Sequence, residues 1–488
     1  MTISHTPPSR MALAGIVLAL ALAGCTELPR IDTSSMAAAP ASFKEGDARW
    51  ALAAPAANQS DGAWWKAFGD PALDDLVERA GRENTSVRIA AARVAQARAV
   101  LGAADAERAP QVGVSAGVAR QAAPDTGWRP STLASVGASA SYELDLFGRL
   151  AGESNAAGAD LRSREALLRS ARLLAQAEVA QRYFALRSLD VERGILRDTL
   201  ATYRDTLRLV ERRYEAGDVA ELDVARVRTE LAATESDAFA LDARRAQLEH
   251  AIAVLVGEAA SNFSIEALPA SAAPAATLPS VPAGVPSTVL ARRPDVAAAL
   301  DQLKAAQLRV GVAQAAWFPS VSLTAAGGYA SPELSDVFKW SARTWAAGAL
   351  LALPVFDGGR RRAAVDAARA EFDVGLVSYR EKVLLAFKDV EDELASLRLL
   401  AEQSRAQDRA ITSASRATAL SASRYRNGLV SQLDLLDAQR SELRSRRQAE
   451  QVRSAQYQST VGLIRALGGG WEGAGVAVGD AGSRRPPG

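Results

Sequence analysis

The side chains that do covalent or metal chemistry are scarce in this sequence. Its 488 residues include one cysteine, Cys25, and two histidines, His5 and His250. A His/Cys metal cluster needs three or four such ligands, and an intrachain disulfide needs a second thiol, so neither can form. Glu391 and Glu393 are the obvious carboxylate pair. Two residues apart on a helix, they do not face each other. Asp434 and Asp437 are three apart, follow Gly428 and share one helical face. With no nucleophile–base pair, phosphate loop or metal set, the residues argue against an enzyme.

The bulk numbers narrow the field further. Lys and Arg total 57 against 56 Asp and Glu, a net charge of +1. No global positive field draws nucleic acid to the chain. Hydrophobic residues make up 48% and aromatic residues 6%, and the abundance of Ala suits long, closely packed helices. Residues 1–24 read as a signal peptide: Arg10 precedes an apolar run from Met11 to Ala23, the length of a signal core and too short to span a bilayer. It ends in Leu22-Ala23-Gly24-Cys25, which resembles a bacterial lipobox and marks Cys25 for covalent lipid. Thr26 stands where an inner-membrane retention signal would place Asp, which favours outer-membrane sorting. Residues 25–63 then form a lipidated, extended N-terminal segment.

The elements that position the aspartates come in two copies. Arg213-Tyr214-Glu215-Ala216-Gly217 and Leu222-Asp223 recur 211 residues later as Arg424-Tyr425-Arg426-Asn427-Gly428 and Leu433-Asp434. Val179, Leu186 and Leu189 recur at the same offset as Val390, Leu397 and Leu400. Agreement in order at separated places marks an internal duplication. The first copy covers 64–266 and the second 295–468. Between them lies a Pro-rich linker, 267–294, with Pro269, Pro274, Pro279, Pro282, Pro286 and Pro294. Residues 469–488 read as a flexible tail.

Each copy predicts a helix, two strands and a long helical hairpin. In copy one, Val112, Val114, Ala116 and Val118 alternate with Gln111, Gly113, Ser115 and Gly117. The same period of two predicts strands near 111–119, 133–147, 320–330 and 344–356. Leu196, Leu200, Tyr203, Leu207, Val210 and Tyr214, then Val224, Val227, Leu231, Thr234, Ala238 and Leu241, follow heptad spacing. They predict an antiparallel coiled-coil hairpin with its tip near Gly217, repeated near Gly428. Strands of about ten residues cross a bilayer when tilted. Their faces, one apolar and one small and polar, suit lipid outside and water inside. Four strands are too few to close a barrel, so other copies must supply the rest. The expected fold is mixed α and β, an oligomeric outer-membrane β-barrel continued by a coiled-coil α-barrel.

The lipobox, Trp64-Trp65-Lys66-Ala67-Phe68-Gly69-Asp70-Pro71, Tyr142-Glu143-Leu144-Asp145-Leu146-Phe147-Gly148-Arg149, Arg292-Arg293-Pro294-Asp295-Val296 and Pro354-Val355-Phe356-Asp357-Gly358-Gly359-Arg360 together resemble the OprM/NodT-type branch of the TolC-like outer-membrane factors. The similarity spans about Trp64 to Leu467. It implies a homotrimer with four strands per protomer, a periplasmic adaptor (membrane fusion) protein, a proton-driven inner-membrane transporter of the RND type, and no cofactor beyond the lipid on Cys25. It implies an exit duct that conducts drugs or other small molecules passively from the periplasm through the outer membrane. The alternatives are the outer-membrane channel of a type I protein secretion system and a periplasmic coiled-coil scaffold without a pore. By resemblance, Asp434 and Asp437 match a periplasmic gate, with Asp223 as a further candidate. Arg213, Tyr214, Gly217, Arg424, Tyr425 and Gly428 mark the hairpin tips that meet the adaptor.

Overall fold

The computed structural model describes residues 29–31, 40, 42–45, 62–122, 124, 128, 130–268, 278–279, 281 and 286–469. Cys25, the signal segment and the tail after Gly469 lie outside them. A 3-10 turn at Trp64–Phe68 precedes α1 (Pro71–Glu83) and α2 (Thr85–Glu107). Strands β1 (Gln111–Gln121) and β2 (Ser131–Leu144) follow, then α3 (Arg149–Glu215) and α4 (Glu221–Leu255). The order repeats as α5 (Pro286–Arg292), α6 (Pro294–Ala315), β3 (Ser320–Ser331), β4 (Arg343–Ala352), α7 (Arg360–Arg426) and α8 (Gln432–Ala466). Helices α3 and α7 each run 67 residues. Among the described residues no helix is long and apolar enough to cross a membrane.

The compact units of the chain do not coincide with the two sequence copies. One unit takes Ala92–Glu165 and Ala298–Glu381 and contains all four strands. The other takes Ala38–Ala91, Ala166–Ala297 and the chain from Lys382 onward, with the helical hairpins. Each unit therefore draws on both copies, and pairing between copies holds each together.

In the first unit the strands form one antiparallel sheet in the order β1-β2-β3-β4. Beside it Leu303, Ala306, Val310 and Phe372 make a small core on α6 and α7. Arg309 reaches Asp160 of α3, and its other nitrogen lies 3.6 Å from Glu371. At the strand-to-helix corners, side chains from the strands' ends cap the long helices. Asp145 accepts from the amides of Leu150 (3.1 Å) and Ala151 (2.7 Å). Asp357 accepts from those of Gly359 (3.0 Å) and Arg361 (3.2 Å), satisfying donors that a helix start leaves free. These corners shorten the strands relative to the sequence expectation. Leu146, Val355 and Phe356 lie beyond β2 and β4, because the chain has already turned toward the capping aspartate. Arg149 completes the first corner with ion pairs to Glu143 (2.9 Å) and Glu153 (3.0 Å).

The second unit is held by aromatic packing and buried ion pairs. Phe68 lies 4.9 Å from Phe184, and Phe184 stacks on Tyr457 at 4.6 Å. Gly69 turns the backbone with φ +68°, which L side chains rarely adopt. Asp70 then caps α1 by accepting from Ala72 (3.0 Å) and Leu73 (3.3 Å), and its second oxygen accepts from the Tyr183 hydroxyl at 2.7 Å. The Trp-Trp motif is thus a structural clamp. So is Arg293-Pro294-Asp295. Arg293 donates to both oxygens of Asp295 (3.1 and 2.8 Å), to Asp389 (3.0 Å) and to the Ala466 carbonyl (3.3 Å). Burial opposes the charge of Asp295, yet the Arg293 guanidinium outweighs it and holds the carboxyl below its ordinary value.

Candidate functional site

The registers of the sheet sort its side chains by face. On one side Val112 pairs with Ala140, Val114 with Ala138, Ala116 with Val136 and Val118 with Ala134. Tyr142 and Leu144 continue that face to Leu323 and Val321. Leu323 and Val321 in turn meet Ala349 and Leu351, and Trp345 pairs with Gly327. On the other side Gly113 meets Ser139, Ser115 meets Gly137, Ser141 meets Thr324 and Glu143 meets Ser322. One face is therefore apolar from edge to edge across four strands, and the other is small and polar. The apolar side chains lie open: Val114 is 87% exposed and Trp345 84%. Strands β1 and β4 each pair on one side only. Within the sheet Gly137 and Gly328 lie face to face, and a Cβ on Gly328 would strike the Val136 carbonyl oxygen. Only hydrogen permits that approach.

The hairpin tips repeat one backbone motif. Gly217 has φ +80° and Gly428 φ +71°. The amide of Gly217 donates to Tyr214 O (2.9 Å) and that of Asp218 to Arg213 O (2.8 Å). Gly428 donates likewise to Tyr425 O (3.0 Å), and Leu429 to Arg424 O (2.9 Å). This is the left-handed C-terminal cap that glycine favours. Around it, Tyr203, Val210, Val224, Val227, Tyr425, Leu435 and Leu436 form one apolar cluster. The two hairpins pack through their ends.

Individual site residues fare differently. Asp434 is the third residue of a capping box: the Ser431 amide and hydroxyl donate to its carboxylate at 2.9 and 2.7 Å. Those bonds, aided by the charge of Arg424, hold its pKa below the ordinary carboxylate value. Asp437 pairs with Arg440 at 3.1 Å, and Arg440 also reaches Glu230 of α4. Asp223 lies 3.5 Å from Arg226. The two aspartates of the second tip are thus held by different neighbours. Tyr214 is 45% exposed, whereas Tyr425 is 3% exposed. The Tyr425 ring therefore offers little surface of its own within the chain. The ring sits in the cluster with the Arg213 guanidinium 4.8 Å above it, so Arg213 too is engaged within the chain. Glu391 accepts from the amides of Lys44 (2.7 Å) and Glu45 (2.9 Å), while burial raises the pKa of Glu393. Ser431 escaped the sequence reading, although Ser431-x-x-Asp434 carries the spacing of a capping box. Among the described residues no group of His, Cys, Asp and Glu could hold a metal ion.

A membrane-facing sheet with duplicated helical hairpins defines the class, an outer-membrane channel protein. A protein-family model described as outer membrane efflux protein matches residues 76–258 and 285–469. The probable efflux pump outer membrane protein TtgC of Pseudomonas putida is 32% identical over 470 residues, covering 95% of this chain and 96% of that protein. The cation efflux system protein CusC of Escherichia coli is 33% identical over 456 residues, covering 93% and 98%. The solved outer-membrane channel OprN superposes with a TM-score of 0.83 at 31% identity, covering 92% of this chain and 100% of that one. The chain belongs to the outer membrane efflux protein family and acts as an efflux channel of the outer membrane.

Proposed function

We propose that three copies of this chain close a twelve-stranded barrel in the outer membrane and form the exit duct of a tripartite efflux system. One observation carries the reading: the sheet has an unbroken apolar face and two edges without partners. Inside lipid each unpaired backbone group costs several kcal/mol, so the edges must meet strands of further copies. The small polar face then lines water. A periplasmic adaptor meets the hairpin tips, and an RND-type inner-membrane transporter supplies the driving force. The duct itself conducts passively. Cys25 carries the lipid anchor, and lipid chains contribute about 0.8 kcal/mol per buried CH₂.

At the tips, Asp434, Asp437 and, more weakly, Asp223 supply the carboxylates of a cation-binding constriction. One oxygen of Asp434 is already committed to Ser431. The ring therefore depends more on Asp437, whose only cation in the described structure is Arg440, itself shared with Glu230. Purified protein reconstituted in a planar bilayer should pass current as a trimer by native mass measurement. Asp437→Ala should raise conductance and weaken block by divalent cations. A monomer without conductance would overturn the duct, whereas a conducting trimer indifferent to Asp437→Ala would remove only the gate.

A further inference from the structure

We propose that a cavity of the hairpin-bearing unit binds a phosphate-bearing anion supplied from outside the chain. The cavity measures about 830 Å³, within the range of small-molecule sites. Its walls come from separated segments: Trp64 and Trp65, the end of α1, the start of α2, the middle of α3 and the α5–α6 corner. Five arginines line it, Arg82, Arg88, Arg169, Arg172 and Arg292. The first four are exposed, and among the described residues none of those four has an acidic partner. Arg169 and Arg172 lie three residues apart on one face of α3. The single acid on the wall, Glu78, is 3.7 Å from Lys66. The nearly buried arginines of this unit, Arg293 and Arg245, are by contrast each answered by acids.

The second observation lies in the aromatic wall. Trp64 and Trp65 are 2% and 7% exposed, and both indole N–H groups are buried without an acceptor. A buried donor in that state is costly until an acceptor arrives. The site is rich in donors, its planar guanidinium forks, with Val87, Leu173 and Pro294 giving apolar wall beside them. An acceptor-rich ligand is required. Four forks exceed what one carboxylate's two oxygens can use, whereas a phosphate offers three oxygens and up to two charges. The shared chemistry is a phosphate group, whether on a lipid headgroup or on a soluble ester.

Calorimetric titration of the full-length protein in neutral detergent tests this, with inorganic pyrophosphate and dihexanoyl phosphatidic acid as separate probes. Saturable binding at one site per chain is expected for at least one probe, weakening as salt is raised. Binding of the lipid alone assigns a headgroup, and binding of pyrophosphate alone assigns a soluble phosphate. R169Q/R172Q should weaken binding at least tenfold with unchanged circular dichroism, and Arg98→Gln, remote from the cavity, should not. Arg82→Gln on the opposite wall gives the same test if the double variant folds poorly. Failure of both probes to bind, or equal binding to wild type and to both cavity variants, would overturn the proposal.

Discussion

The two hairpin tips share a backbone and differ in almost everything else. Both end the ascending helix with the same pair of hydrogen bonds around a left-handed glycine. At the descending start, position 220 is Ala and offers no side-chain cap, whereas its counterpart Ser431 builds a capping box with Asp434. Tyr214 faces solvent, and Tyr425 is sealed beneath Arg213. Arg226 stands where the second copy has Asp437. Duplication preserved the turn, which only local geometry dictates. The side chains differ where one tip packs against the other. The second tip buries its aromatic ring in a cluster shared by both hairpins, and the first leaves its ring exposed.

The largest expected effect separates the tyrosines. Tyr425→Ala should destabilise the tip bundle by about 3 kcal/mol, the usual cost of deleting a buried aromatic ring. Tyr214→Ala should change stability by less than about 0.5 kcal/mol yet weaken co-purification with the adaptor. Amide exchange over 200–240 and 420–440 measures the first effect. Equal losses in the two variants would erase the asymmetry. The glycines should behave alike instead: Gly217→Ala and Gly428→Ala each force a side chain into left-handed backbone at about 1–2 kcal/mol. A twofold difference in cost would show that the turns are not equivalent.

Smaller effects sharpen the start of each descending helix. Ser431→Ala should cost about 1 kcal/mol, and Ala220→Ser should recover part of that in the first hairpin, where Asp223 already occupies the third helical position. Acid gives the smallest contrast. The Asp434 carboxyl is held below its ordinary value of 3.8 by Ser431. Its contribution is therefore present above that value and lost as pH falls through the lowered one. Exchange at 429–436 should quicken in wild type as pH falls below 3.8 and through the lowered value, and not in Ser431→Ala.

Much of this was legible in the sequence because it is periodic and local. Alternation from Val112 to Val118 names the face each residue takes, and a one-residue slip would turn every side chain over. Gly217 and Gly428 mark turns by themselves. The heptad seam reads correctly through Val210 but not at Tyr214, which stands one residue from the end of α3 and is 45% exposed. What was hidden depends on distant pairing. Tyr425 is buried because α3 and α4 lie against it, and no spacing within α7 announces that. Leu146 carries the strand pattern yet leaves the sheet, since Asp145 is needed as a cap. The arginine cavity draws its walls from segments as far apart as Trp64 and Gly469, beyond any motif.

The central claim is that β1 of one copy pairs with β4 of the next. Cys25 is the only native cysteine, so cysteines introduced at Ser115 of β1 together with Ala346, Gly348 or Leu350 of β4 report on that pairing without interference inside the barrel. Disulfides form where Cα atoms approach within about 4.4–6.8 Å. Oxidation in intact outer membranes should yield, for at least one pair, a ladder of dimer and trimer that stops at three chains. Monomers at every pair, or a ladder continuing past three, would contradict the closed trimeric barrel.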